Sequence, residues 1–443
     1  MIDTEQRTEL AEPPALAGRW TICAMLFVAT TINYMDRQVL SILRPFLNGQ
    51  VHVIQPLIHG WPTAERTISM NEIQYGYIVW AFQVAYALGV IFAGRLVDRL
   101  GCRRGYPIVT GIWSLSAMGH ALVTSVTGFG IARFFLGLGE SGNFPAAIKA
   151  TAEWFSAKER ALATGIFNSG AGVGAILAPF IVPRVMEHFG WRASFLVTGA
   201  FSAAWIVWWS IRYHKPSVAT DLQSPDLSCE AVTPPVATTA WWTLLRYRQA
   251  WGFVLGKFLT DPVWWFYLFW LPGYFNSRFK LDLSHIGTPL IIVYVVSTVG
   301  SVTGGWLPKG YMRLGMQLKS ARLATMLTCA CLVVPIAFAG GLHSEWTAVA
   351  LLCIATSAHQ GWSANIFTTV SDMFPAEYVG TVVSFGQVGG AVGGSIFALV
   401  AGHILQFTHS YVSLFVFSGS AYLIALALLR TLAPGLRRVV LQD

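Results

Sequence analysis

Six charged side chains lie inside stretches that are otherwise apolar: Asp36, Arg37, Arg133, Glu140, Lys257 and Asp261. At the centre of a spanning helix each costs about 2.5–3.5 kcal/mol, so such groups pair with one another or line a wet cavity. Three acids and three bases favour mutual neutralisation. Arg37 is the candidate anion-binding group, because a guanidinium stays charged and offers a planar fork that matches a carboxylate. Glu140 sits in the run GLGESGN, among small residues that let helices approach closely. Burial disfavours the charged form of a carboxylate, so Glu140 is suited to load and release a proton. Asp36 fits the same description, with Arg37 beside it to oppose protonation. Arg133 and Glu140 are two helical turns apart, roughly 10 Å of rise, and are expected to pair on one face. Lys257 and Asp261 read equally well as a structural ion pair or as part of a site.

Polar and aromatic side chains at mid-span would complete such a site: Tyr34, Tyr86, Asn168, Trp362, Asn365 and Gln387. Hydroxyls and amides both donate and accept hydrogen bonds, which suits a polyhydroxylated acid, and Trp362 offers a face for a sugar-like ring. Ordinary packing or an interfacial belt is the competing role for the aromatics, and it is the one expected of Trp208, Trp209, Trp264 and Trp265. His359 is expected to act as a hydrogen-bonding group.

The elements that position these residues are membrane helices. Of the 443 residues 54% are hydrophobic and 11% charged, against about 25% charged in a soluble protein, so water cannot be the only solvent. Twelve apolar runs of about 20 residues fall near 18–43, 72–97, 105–125, 127–150, 161–184 and 193–213, then 251–276, 286–307, 321–341, 346–370, 379–405 and 411–432. The expected organisation is an N-terminal six-helix bundle over 1–213, a polar linker over 214–250 and a C-terminal six-helix bundle over 251–443. With both termini on one side, six of the 29 basic residues face the opposite side and three lie within spans, leaving 20 on the side of the termini. By the positive-inside rule that side is cytoplasmic. The acidic start lacks the order of a cleavable signal, and the six cysteines have neither disulfide nor metal spacing. The net charge of +8 is spread along the chain and implies no nucleic-acid partner.

The halves repeat. At a constant offset of 219 residues Phe155 aligns with Phe374, Asn168 with Gln387, Gly170 with Gly389 and Gly174 with Gly393. Several matches at one offset indicate duplicated units, and two parallel halves place a binding site at their interface near mid-membrane.

The stretch GRLVDRLGCRRG at Gly94–Gly105 resembles the signature loop of the major facilitator superfamily. INYMDRQVLSILRPF, RFFLGLGESGNFPAAIKATAEWFSAKERALATGIFNSGAGVGAILAP, KFLTDPVWWFYLFWLP and AHQGWSANIFTTVSDMFP are similar to its anion:cation symporter family, above all to bacterial hexuronate transporters. The resemblance implies two pseudo-symmetric six-helix bundles that alternate access. It also implies that Arg37 meets a substrate carboxylate, while Asp36 and Glu140 serve the coupling ion with Arg133 nearby. Asp98, Arg99, Arg103 and Arg104 are then expected to gate the cytoplasmic face. The expected function is proton-coupled symport of a hexuronate in a bacterial cytoplasmic membrane, by a monomer without cofactor. Sodium is the alternative coupling ion, and an aldonate, an aldarate or an aromatic carboxylate the alternative cargo. A membrane sensor would carry a signalling extension, and an enzyme would need a nucleophile–base set or a metal cluster; the sequence displays neither.

Overall fold

The computed structural model describes residues 18–47, 68–155, 157–214, 241–282 and 284–439. Among the described residues there are twelve α-helices and no strand. The N-terminal half comprises α1 (Arg19–Leu47), α2 (Glu72–Gly119), α3 (Val126–Glu140), α4 (Asn143–Trp154), α5 (Ala157–Phe189) and α6 (Trp191–Arg212). The C-terminal half comprises α7 (Arg248–Phe279), α8 (Gly287–Arg313), α9 (Leu318–Val333), α10 (Glu345–Met373), α11 (Ala376–Thr408) and α12 (Val412–Leu432). Of the expected linker, 215–240 lies outside the described residues.

Local chemistry sets the ends. Asn71 and Gln74 form a reciprocal capping box at the start of α2, each backbone N–H donating to the other side chain at 3.0 and 2.8 Å. Ser125 and Ser344 cap α3 and α10 in the same sense. Pro335 has no N–H to donate, and α9 passes into a 3₁₀ segment, Val334–Gly341.

Two expected boundaries differ. Spans two and three join in α2, whose chain folds back at Gly101 (φ 71°, ψ 162°), a backbone conformation that L side chains rarely adopt. The return is tight, since a Cβ on Gly105 would lie 2.9 Å from Cα of Val97. Span four is instead divided into α3 and α4 by a turn at Ser141–Gly142, directly after Glu140. Six segments are long and apolar enough by length and composition to cross a membrane: Ala163–Phe189, Trp191–Arg212, Gly287–Arg313, Leu318–Gly341, Thr381–Thr408 and Val412–Leu432. The six intramembrane charges all lie outside these segments, in α1, α3 and α7.

The two halves meet along α1 with α7, α2 with α11 and α5 with α8. The last two pairings are the reciprocal contacts that a pseudo-twofold produces. Among the described residues, the hydrogen bonds and ring contacts that join the halves run from the end opposite the chain termini to mid-depth. At that far end the Glu72 N–H donates to Gln406 Oε1 (3.1 Å), and the Tyr75 hydroxyl donates to the Phe269 carbonyl (2.8 Å). A cavity of about 210 Å³ beside them is lined by Arg44, Glu72, Asn276, Ser277, Lys280 and Tyr411, with Arg44 and Glu72 ion-paired. At mid-depth Gly172 meets Thr298. One turn further toward the termini Asn168 and Ser169 are exposed.

The seal at the far end needs α2 and α11 in backbone contact: a Cβ on Gly76 would lie 2.7 Å from the Ala398 carbonyl oxygen. Gly76→Leu should force this end open. In a background free of the natural cysteines, a membrane-impermeant maleimide should label Ser277→Cys several-fold faster when Gly76→Leu is added. An unchanged rate would show that the seal does not depend on this approach.

Candidate functional site

Arg37 lies on the face of α1 that looks across the seam. Its Nε donates to Glu140 Oε2 at 2.5 Å, with the arginine side chain 3% and the glutamate 0% exposed. Four aromatic rings enclose the guanidinium carbon at centroid distances of 4.6 Å (Tyr34), 4.9 Å (Tyr86), 5.3 Å (Trp265) and 5.7 Å (Phe82). Such faces attract a cation. The rings come from α1, α2 and α7, so the box closes only when both halves contribute. The terminal nitrogens Nη1 and Nη2 donate to no group among the described residues and are not among the fully buried unpartnered atoms. Glu140 Oε1 is buried and has no partner among the described residues.

Glycine places Glu140. A Cβ on Gly137 would lie 2.4 Å from the Phe82 carbonyl oxygen, and one on Gly139 would lie 2.5 Å from the Trp113 nitrogen. Only residues without side chains bring α3 this close to α2, and α3 then ends at the acid itself.

The expected pairing of Arg133 with Glu140 is corrected. Arg133 Nη1 donates to the backbone carbonyl of Arg37 at 3.1 Å, while Glu140 is taken by the Arg37 side chain. Two turns separate the residues by roughly 10 Å, and α1 supplies nearer partners to both. Asp36 likewise does not pair with its neighbour Arg37. Successive helical residues diverge by about 100°, and Asp36 turns into the N-terminal half. There its Oδ2 accepts from the Ser202 hydroxyl (3.3 Å), which accepts in turn from Trp113 Nε1 (2.7 Å).

Of the candidate substrate residues, Tyr34 and Tyr86 come to Arg37, and the others sit elsewhere. Asn168 is exposed on α5, and Gln387 is half-buried on α11. Trp362 is fully buried, edge-on to Tyr422 at 5.5 Å. Asn365 ties α8 to α10, its Nδ2 donating to the carbonyls of Gly304 (2.9 Å) and Gly361 (2.8 Å). His359 lies flat on Trp264 at 5.0 Å, and its Nδ1 meets the Tyr422 hydroxyl at 2.5 Å. Lys257 and Asp261 pair at 2.8 Å within α7.

Of the expected gate, Arg99, Arg103 and Arg104 are exposed around the Gly101 reversal, and the side chain of Asp98 lies outside the described residues. The repeat offset carries Arg103 to Arg322 and Glu153 to Asp372. Arg322 and Asp372 form an ion pair, whereas Glu153 accepts from the Tyr213 hydroxyl.

Sequence reasoning missed three contributors. Trp265, expected to pack, covers Arg37, and Phe82 does so from α2. Gln83 is fully buried, with neither amide atom partnered among the described residues, beside Gly394 of α11. An amide inside an apolar span was the available signal for Gln83; nothing in the order of residues distinguishes Trp265 from Trp264.

Comparison with known proteins agrees with this architecture. The sequence model of the Major Facilitator Superfamily matches residues 26–398. The chain is 29% identical over 392 residues to the hexuronate transporter of Escherichia coli (strain K12), covering 87% of each. It is 29% identical over 351 residues to the galacturonate transporter of Dickeya chrysanthemi, covering 77% of this chain and 95% of that protein. The crystal structure of a D-xylose-proton symporter shares the fold, with TM-score 0.70 at 15% identity, over 95% of this chain and 99% of that one.

The close packing behind Glu140 makes Gly139→Ala costly. It should lower stability by about 1–3 kcal/mol through overpacking, seen as a drop in the melting temperature of the purified protein. Gly130→Ala in the same helix meets nothing within 4 Å and should leave melting unchanged. Equal melting of the two variants would contradict the packing described.

Proposed function

The chain belongs to the Major Facilitator Superfamily, a family of multi-pass membrane transporters and not of enzymes, and we propose that it is a proton-coupled symporter of a polyhydroxylated monocarboxylic acid, a hexuronate above all. The observation that carries this reading is the Arg37–Glu140 ion pair at the seam of the two halves. A guanidinium with two uncommitted nitrogens is a receptor for a carboxylate, and here it is already occupied by an internal one. Protonation of Glu140 withdraws the internal competitor and leaves Arg37 to the anion of the substrate. Asp36, buried behind α1 against Ser202, is the second proton site. Relatives named for hexuronate and galacturonate transport support the choice of cargo.

The halves then rock about the bound acid. The geometry corresponds to the state sealed at the far end, and the positive-inside rule assigns that end to the outside of a bacterial cytoplasmic membrane. One proton per monoanion makes the cycle electroneutral. Two import a positive charge, worth about 2.3 kcal/mol per 100 mV of membrane potential. We assign to the exposed arginines at the Gly101 reversal the role of latching the cytoplasmic ends when the far end opens.

In proteoliposomes Glu140→Gln should abolish accumulation of labelled glucuronate driven by an inward proton gradient, while exchange against preloaded substrate persists. Full gradient-driven accumulation by that variant would remove Glu140 from coupling. Arg37→Lys keeps the charge but loses the fork, and should weaken uronate binding at least tenfold, by loss of a charge-assisted hydrogen bond; unchanged affinity would remove Arg37 from the site.

A further inference from the structure

Asp261 differs from the charges around Arg37 in being open. Its side chain is 14% exposed, and only Oδ1 is held, by Lys257 at 2.8 Å. Oδ2 makes no hydrogen bond among the described residues and is not among the fully buried unpartnered atoms. Facing it on α11 is Gly390, where a Cβ would lie 2.1 Å from Oδ2, so any other residue would displace the carboxylate. Lys257 in turn lies over the ring of Phe367 at 4.3 Å and fixes Asp261 from behind.

The helix sets the relation to Arg37. Lys257, Asp261, Trp265 and Phe269 recur every four residues and share one face of α7. Trp265 covers the guanidinium of Arg37 at 5.3 Å. Asp261 lies one turn closer to the chain termini, about 6 Å of rise, and within electrostatic range of Tyr34 on α1. A small acid held by its carboxylate at Arg37 would point its other end along this face, past Tyr34, toward Oδ2. An ionised carboxylate only accepts hydrogen bonds, and a hydroxyl at the far end of such an acid is a neutral group that donates one.

We propose that Asp261 is a specificity-determining residue: its free oxygen accepts a hydrogen bond from one hydroxyl of a polyhydroxylated monocarboxylic acid, reading from the C-terminal half the ligand that Arg37 anchors from the N-terminal half. This rests on the preceding assignment of Arg37. Lys257 is a positioning residue that keeps the aspartate ionised and aimed. A site built to bond a hydroxyl rejects the analogue that lacks it, so acids without hydroxyls at that end are excluded.

The test is equilibrium calorimetry on the purified full chain with glucuronate, galacturonate and a series of monodeoxy uronates. Asp261→Asn should weaken uronate binding roughly tenfold to a hundredfold, the range for a hydrogen bond to a charged group. For the one deoxy analogue that lacks the bonded hydroxyl, wild type and variant should agree within about twofold, because the mutation and the missing hydroxyl remove the same interaction. Gly390→Ala, whose Cβ would lie 2.1 Å from Oδ2 and must push the carboxylate aside, should reproduce the loss in a protein that remains monodisperse. Uronate binding unchanged in Asp261→Asn overturns the inference alone, and so does an equal loss for every deoxy analogue, which would make the residue structural. Unchanged affinity with loss of proton-driven accumulation would make it a proton carrier and overturn it too. A folded wild type that binds no uronate overturns the assignment of Arg37, and this inference with it.

Discussion

Burying a guanidinium and a carboxylate together leaves each dependent on the other. Removing one partner strands a charge and costs about 3–5 kcal/mol. The pair of Arg37 and Glu140 imposes that condition on this protein. Much of the N-terminal half serves it: α1 brings the arginine to the seam, the glycines of α3 bring the acid against α2, and aromatic rings enclose the guanidinium. In the proposed cycle another anion takes the place of Glu140 at Arg37, and protonation of Glu140 releases it from the pair.

The proposed coupling follows from that pairing. If a proton on Glu140 favours the anion at Arg37, the anion favours the proton by the same free energy. Neither ligand alone leaves the seam neutral and satisfied. The rings that enclose Arg37 also carry the contact between halves: Phe82 and Tyr86 of α2 meet Trp265 of α7, which stacks on Phe269. In the proposed cycle occupancy and closure act on the same side chains, with the halves moving as rigid bodies about their interface. Asp36, the proposed second proton site, is held from within the N-terminal half by Ser202.

Much of this was legible in the sequence, for physical reasons. Spanning helices announce themselves through hydrocarbon thickness, and the repeat through a constant offset. Charges are rare enough in such segments that Arg37, Glu140, Lys257 and Asp261 stood out. Partner choice was not legible, because it depends on which helices glycine allows together. Spacing along α3 pointed Arg133 at Glu140, yet α1 intervenes. Mid-span position alone named Trp362 and Asn365, which the packing of α8, α10 and α12 consumes. Trp264 and Trp265 are neighbours in sequence, and only the rotation of α7 sends one to His359 and the other to Arg37.

The central claim is that the substrate carboxylate takes the place of Glu140 at Arg37 and that Glu140 leaves as the neutral acid. Calorimetric binding of glucuronate at one pH, in buffers of different ionisation enthalpy, measures the protons exchanged on binding. Uptake of about one proton by the wild type and none by Glu140→Gln is the expected result. Binding without proton uptake, or uptake unaltered in the variant, would contradict the account.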